Sequence, residues 1–224
     1  MHRKAINHLK RADPKLARVI ERVGPCRFQA IDGGTHFDAI VRSIVYQQLS
    51  GSAASTIHRR LREHLAGDAS PARRLLETPD EKLRAIGLSR QKIAYLRDLA
   101  LKTESGDVPI TRLHELDNEA VIDALRKVKG VGLWTAQMFL MFRLARPDVL
   151  PDLDLGIRKA IQRAYRLRKL PTSERVQSIG ACWRPYCTVA SWYLWRSLEQ
   201  TPDVDAPTAR RNARRARRKP PRAR

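Results

Sequence analysis

With 224 residues and 42% hydrophobic content, the chain can bury one compact core or two small ones, and no run of 18 apolar residues offers a membrane span. Lys and Arg number 44 against 23 Asp and Glu, a net charge of +21 that exceeds what solubility requires and points to a polyanionic partner. Residues 210–224 hold nine of the basic side chains and no acid, which leaves +12 for the rest, so the body of the chain is itself basic.

Helical spacing dominates. Asp13-Pro14, a cap followed by proline at the first helical position, opens an amphipathic helix through Leu16, Val19 and Ile20. Between 37 and 65, Ile40, Val41, Ile44 and Val45 recur at helical spacing, and Leu49-Ser50-Gly51-Ser52 divides the stretch into two helices. Thr78-Pro79-Asp80-Glu81 reads as a capping box for a short helix that Gly87 closes, and another helix follows Ser89. After a loop at 105–109, residues 121–128 and 133–144 read as two helices around Lys129-Gly130-Val131-Gly132. Val149-Leu150-Pro151-Asp152 leads into a helix ending near Tyr165, and 187–198 form the last long apolar helix. No strand alternation competes, so the fold class is all-α. Residues 1–201 form the folded domain, and the Arg-rich, Pro-containing stretch 202–224 reads as a disordered tail.

Three cysteines, Cys26, Cys182 and Cys187, are too few for a disulfide framework and lack His or Cys partners for a metal, so they read as buried thiols. Met1-His2-Arg3-Lys4-Ala5 is not followed by an apolar run, so the reading is a chain that is not secreted: cytoplasmic at a bacterial nucleoid, or nuclear.

The hairpin carries the chemistry. Without a Cβ, Gly130 and Gly132 can take positive φ and let a phosphate reach the backbone, where the first N–H groups of the next helix lack partners. Those N–H groups and the helix dipole attract an anion without reading sequence.

Val128-Lys129-Gly130-Val131-Gly132-Leu133-Trp134-Thr135-Ala136, with Arg146-Pro147-Asp148-Val149-Leu150-Pro151 and Asp154-Leu155-Gly156-Ile157-Arg158, resembles the helix-hairpin-helix DNA glycosylase superfamily. The closest branch is 3-methyladenine DNA glycosylase II, which residues 37–50 and 83–92 also resemble. The resemblance runs from about residue 30 to 200 and implies the compact form, a two-lobed helical bundle with an active-site cleft between lobes and no N-terminal β-domain. It implies a monomer acting on double-stranded DNA that contains damaged bases, with no cofactor. A monovalent Na or K ion at the hairpin, held by the main chain of Arg126, Val128 and Val131, is also in keeping with the family.

The family places a catalytic Asp about twenty residues past the hairpin glycines, at a helix start after a proline. Asp154 and Asp152 both qualify; Asp-Leu-Gly-Ile-Arg favours Asp154, while either could simply cap the helix. A carboxylate facing the anomeric carbon would stabilise the oxocarbenium-like transition state as the N-glycosidic bond breaks, and an alkylated, cationic purine leaves without a strong general acid. Strand-cleaving members carry Lys where this chain has Trp134, and the iron–sulfur branch needs four clustered cysteines, so the implied reaction is monofunctional hydrolysis.

Base flipping requires a pocket and a wedge. By motif position Trp134 and Trp195, then Tyr46 and Met138, would line the pocket, their aromatic faces suiting a cationic base. Gln48, with Leu49 second, would fill the gap in the duplex. Lys129, Gly130, Val131, Gly132, Thr135, Arg90 and Lys92 would hold the backbone. Two other readings stay open: a non-catalytic hairpin module that only holds DNA, and a glycosylase for another lesion class.

Overall fold

The computed structural model describes residues 2–31, 33–67 and 69–199, and the tail expected at 202–224 lies outside them. The described residues form helices and turns with no strand. In chain order the helices are α1 (His2–Ala12), α2 (Pro14–Val23), α3 (His36–Tyr46), α4 (Gly51–Leu65), α5 (Pro71–Glu77) and α6 (Asp80–Ile86). They continue as α7 (Arg90–Glu104), α8 (Asn118–Arg126), α9 (Leu133–Phe142), α10 (Leu155–Tyr165), α11 (Ser173–Gly180) and α12 (Cys187–Glu199). Two 3-10 segments, Ile110–Glu115 and Ala181–Trp183, join them. None of these helices is long and apolar enough to cross a membrane.

Two hydrophobic cores divide the molecule. The larger lobe packs α3 to α9 around Ile40, Ile44, Leu61, Leu83, Leu96, Leu125 and Leu140. The smaller lobe joins the chain's two ends, α1 and α2 with α10 to α12, around Leu9, Leu16, Ile161, Trp183 and Tyr193. Phe142 and Trp195 pack against both cores and mark the seam. Burial of these apolar side chains contributes roughly 25 cal/mol per Å², so the small lobe depends on the distant ends meeting.

Asp13 organises that meeting. One carboxylate oxygen caps α2 by accepting from the N–H groups of Lys15 and Leu16 at 2.9 and 3.1 Å; the other accepts from the Trp183 indole at 2.8 Å and from the Tyr165 hydroxyl. A buried carboxylate is tolerated because donors surround it. Burial and the nearby Asp13 charge raise the Tyr165 hydroxyl, so it stays a donor.

Three expectations need correction. Thr78 does not cap α6: Pro79 occupies the cap position, and the Thr78 hydroxyl donates to the Arg74 carbonyl at 2.7 Å and meets His64 Nε2 at 2.9 Å. A proline at the cap position fixes φ for the helix entry, so α6 forms without the box. Gly132 has φ −92°, ordinary extended backbone, and only Gly130 among the hairpin glycines is left-handed, at φ +78°. Cys182 is exposed rather than buried; Cys187 is buried, and burial with the nearby Asp148 raises its thiol. Finally, helices α1, α5 and α11 carry too few apolar residues at helical spacing to be read from the sequence, since α1 buries only Ala5 and Leu9.

Candidate active site

The hairpin is built from the backbone inward. α8 ends at Arg126 and α9 begins after Gly132, whose lack of a side chain leaves the first turn of α9 with neither a side-chain cap nor an acidic residue. A Cβ on Gly132 would meet nothing within 4 Å, so the approach to those N–H groups is open. Gly130 is required on two counts: its φ is left-handed, and a Cβ there would sit 2.2 Å from the Tyr95 ring. Val131 is buried beneath the turn.

Helix α7 braces this turn from behind. Asp98, with a side chain 11% exposed, accepts from the Lys129 N–H and from the Lys102 ammonium, both at 2.8 Å, and lies 3.9 Å from the Lys129 ammonium. Lys102 also donates to the Lys127 carbonyl. Burial would raise Asp98, but these hydrogen bonds and two ammonium charges outweigh it and hold the carboxyl below the usual carboxylate range.

The α3–α4 junction meets the hairpin through a side chain other than the expected wedge. Gln47 donates from Nε2 to the Gly130 carbonyl at 2.9 Å. Gln48 sits in the left-handed region at φ +56° and is exposed, and Leu49 beside it is 38% exposed. A non-glycine residue in that conformation costs on the order of 1–3 kcal/mol and is held only where its surroundings over-determine it. Lys92, instead of standing on the outer surface, donates to the Val45 carbonyl at 2.5 Å inside the cleft, and burial lowers its ammonium. Arg90 is exposed at the start of α7.

Asp154 lies on the seam between lobes. Its Oδ1 accepts from the Ile157 N–H at 2.8 Å, capping α10, and from the Trp195 indole at 2.9 Å; its Oδ2 accepts from the Trp134 indole at 2.8 Å. Capping and orientation coincide here, because neutral N–H donors and the positive end of the α10 dipole fix the carboxylate without setting a full positive charge beside it. Gly156 makes room: a Cβ there would lie 3.0 Å from both Asp154 Oδ1 and the Trp195 ring. Asp152 is buried and accepts from the Ser173 hydroxyl instead.

A cleft of about 580 Å³ runs from the hairpin to α9, lined by Arg42, Tyr46, Gln47, Lys92, Gly130 and Trp134 among others, with Thr135 and Met138 on its α9 wall. A second recess of about 260 Å³ shares Arg42, Ser43, Trp134 and Met138 with it and adds Ile31, Phe139 and Phe142. Trp134 is 53% exposed between the two. Trp195 stands behind Asp154, stacked on Phe142 with ring centroids 6.2 Å apart. The face of Tyr46 is already taken by the Arg42 guanidinium, 4.6 Å from its centroid.

Trp134 and Met138 thus gather with Gly130 of the hairpin and Gln48 around one cleft, while Asp154 and Trp195 line neither cavity and connect to it through the Asp154–Trp134 hydrogen bond; Asp152 does not join them. Sequence reading misses Asp98, Tyr95, Gln47 and Arg42. For Asp98 and Tyr95 the signal is absent, since they lie 31 and 35 residues from their hairpin partners. Gln47 and Arg42 fall within the stretch 37–50 that carries the resemblance, but spacing cannot tell which of its polar side chains turns inward.

Comparison with known proteins agrees with this fold. The family described as HhH-GPD superfamily base excision DNA repair protein matches residues 41–185. DNA-3-methyladenine glycosylase 1 of Schizosaccharomyces pombe is 34% identical over 197 residues, covering 87% of this chain and 86% of the relative. Among solved structures, the S. pombe 3-methyladenine DNA glycosylase in complex with abasic DNA superimposes with a TM-score of 0.72 at 32% identity, covering 86% of this chain and 95% of that one. A DNA-3-methyladenine glycosidase from Bacillus halodurans gives a TM-score of 0.77 at 34% identity, covering 88% and 89%.

Proposed function

The chain belongs to the HhH-GPD superfamily of base excision DNA repair proteins, and from that premise we propose that it hydrolyses the N-glycosidic bond of alkylated purines in duplex DNA. It is an all-α glycosylase of the 3-methyladenine type that acts without cleaving the strand. The single observation that carries the mechanism is Asp154, a carboxylate held by three neutral N–H donors, one of them the indole of Trp134, which lines the aromatic recess.

Phosphates of the damaged strand settle on the open N-terminus of α9, where Gly132 admits them and the Lys129 ammonium adds charge. Thr135 lies one turn further along the same groove, and Arg90 extends the basic surface. Gln48 and Leu49, both exposed at the α3–α4 junction, enter the gap left by the flipped nucleotide. The base enters between Trp134 and Met138. As the bond lengthens, positive charge grows on the deoxyribose and Asp154 stabilises it, while water completes hydrolysis. Trp134 and Trp195 are positioning residues for that carboxylate, a role through their N–H groups rather than their ring faces alone. Trp134 stands where strand-cleaving relatives carry Lys, so the amine those relatives use for a Schiff base is lacking at that position.

The main-chain carbonyls of Arg126, Val128 and Val131 are neutral hard oxygens, a donor set that fits Na⁺ or K⁺, and the adjacent Lys127 carbonyl already serves a cation, the Lys102 ammonium. A bound ion would supply rigidity to the turn. The enzyme works as a monomer on double-stranded DNA, in the compartment that holds the genome.

The test is incubation of purified protein with duplex DNA carrying N7-methylguanine. Free base should appear, and strands should break only after alkali. Release with spontaneous nicking would contradict the monofunctional reading, and no release would contradict the substrate.

A further inference from the structure

Net charge is not shared evenly between the lobes. Residues 1–31 and 150–199, which build the smaller lobe, hold 17 Lys and Arg against 6 Asp and Glu; residues 32–149, which carry the hairpin and the cleft, hold 18 against 15. Most of the excess therefore lies on the lobe without the hairpin. Its acids do little to offset it at the surface: Asp13 and Asp152 are buried, Asp154 is held by indoles at the seam, and Glu21 and Glu199 pair with Lys10 and Arg196 at 3.2 and 2.6 Å.

Free cations gather at one end of this lobe. Lys159, Arg163 and Arg166 recur at helical spacing along one exposed face of α10. Arg168 and Lys169 follow in the turn that folds back on that helix, where the Leu167 N–H donates to the Gln162 carbonyl at 2.9 Å. Lys15, in the first turn of α2, joins them because its ammonium lies 5.0 Å from the centre of the Tyr165 ring. All six are exposed, and among the described residues none has a side-chain hydrogen bond or an ion pair. The fold does not require this arrangement. The α10 dipole favours a cation in its last turn, which accounts for Arg163, but Lys159 and Arg163 repel at i and i+4, and Lys15 stands at the positive end of α2. No large exposed hydrophobic side chain lies among the six, whereas a membrane-binding face would interleave them.

We propose that this patch is a second DNA-binding surface, which holds the phosphates of a duplex segment other than the one in the catalytic groove. Asp154 caps the opposite end of α10, and a rise of 1.5 Å per residue puts Arg166 about 18 Å from it along the axis. The patch thus lies at the far end of the helix from the sugar that Asp154 meets. Six free cations with no exposed acid among them suit an extended run of phosphates rather than one small anion. Long DNA supplies such a run, since once the groove holds one part of the polymer its other parts stand at high effective concentration. With two DNA faces the protein passes from one segment to another without release into solvent, and nothing in that step reads a base.

The experiment tethers a short undamaged duplex to beads, adds the full-length chain and measures capture of a second, labelled undamaged duplex over a range of salt. Wild type is compared with a variant carrying Lys15→Gln, Arg163→Gln, Arg168→Gln and Lys169→Gln together, with thermal melting as a check of folding. Wild type should capture the second duplex. In the variant the affinity for it should fall about tenfold or more, and the slope of log affinity against log salt should flatten by about 3–4. Single-turnover release of N7-methylguanine from a short duplex should stay within about twofold of wild type. Should the fourfold variant fail to fold, Lys15→Gln with Lys169→Gln decides, since its capture must still drop severalfold. Equal capture by the folded variant overturns the inference, as does wild type that captures no second duplex. Base release that falls in step with capture would place the patch in the groove's own footprint, and capture of RNA or of anionic phospholipid vesicles in preference to duplex DNA would give the surface another partner; either overturns it. Because capture uses undamaged DNA, its failure is distinct from a failure of the glycosylase reading, which only base release tests.

Discussion

Two aspartates, Asp98 and Asp154, are each fixed by several hydrogen bonds, yet their surroundings are opposite. Asp98 sits behind the hairpin with an ammonium at 2.8 Å and another at 3.9 Å, so its charge is cancelled where a phosphate must approach. Asp154 sits on the seam with two indoles and one backbone N–H, so its charge survives. A surface that binds a polyanion has to neutralise its own acids, whereas a site that stabilises a sugar cation has to preserve one. The donor type, cationic or neutral, separates the two jobs.

That contrast breaks most visibly at Asp154. Asp154→Asn keeps the shape and the helix cap but removes the charge, and single-turnover base release should fall by about 10²–10³-fold. At the hairpin, Gly130→Ala meets both a left-handed φ and the Tyr95 ring at 2.2 Å, so stability should drop by about 2–5 kcal/mol in denaturant titration, with weaker DNA binding in the folded fraction. Trp134→Phe removes one donor from Asp154 and keeps an aromatic ring; the rate should fall about three- to tenfold, whereas a role through the ring alone predicts no change. Asp98→Asn should cost about 1–3 kcal/mol of stability and leave the rate at saturating enzyme nearly intact. Because its folded carboxyl titrates below the ordinary value of about 3.9, the stability it supplies is present above that pH and is lost as pH falls through the folded value, so the variant should show a flatter acid limb.

The hairpin could be read from sequence because its requirements are local: two glycines, a helix start and basic neighbours lie within ten residues. The brace behind it could not, since Asp98 and Tyr95 belong to another helix and reach it only through packing. Gly132 shows the limit of composition, being glycine for open access rather than for its φ. At the seam, Asp154 and both tryptophans were legible by position, but their linkage through indole N–H groups depends on α12 returning beside α10. The join of α1 and α2 with the C-terminal helices is wholly non-local, and Asp13, legible as a cap, gives no hint that it also receives Tyr165 and Trp183.

The most direct test of the central claim is the affinity of Asp154→Asn for a duplex carrying N7-methylguanine, measured on the same preparation whose base release has been lost. Removal of an uncompensated negative charge beside a polyanion should leave binding unchanged or tighter. Binding weakened in step with the lost rate would show that Asp154 holds the complex together, and the division between the two aspartates would fail.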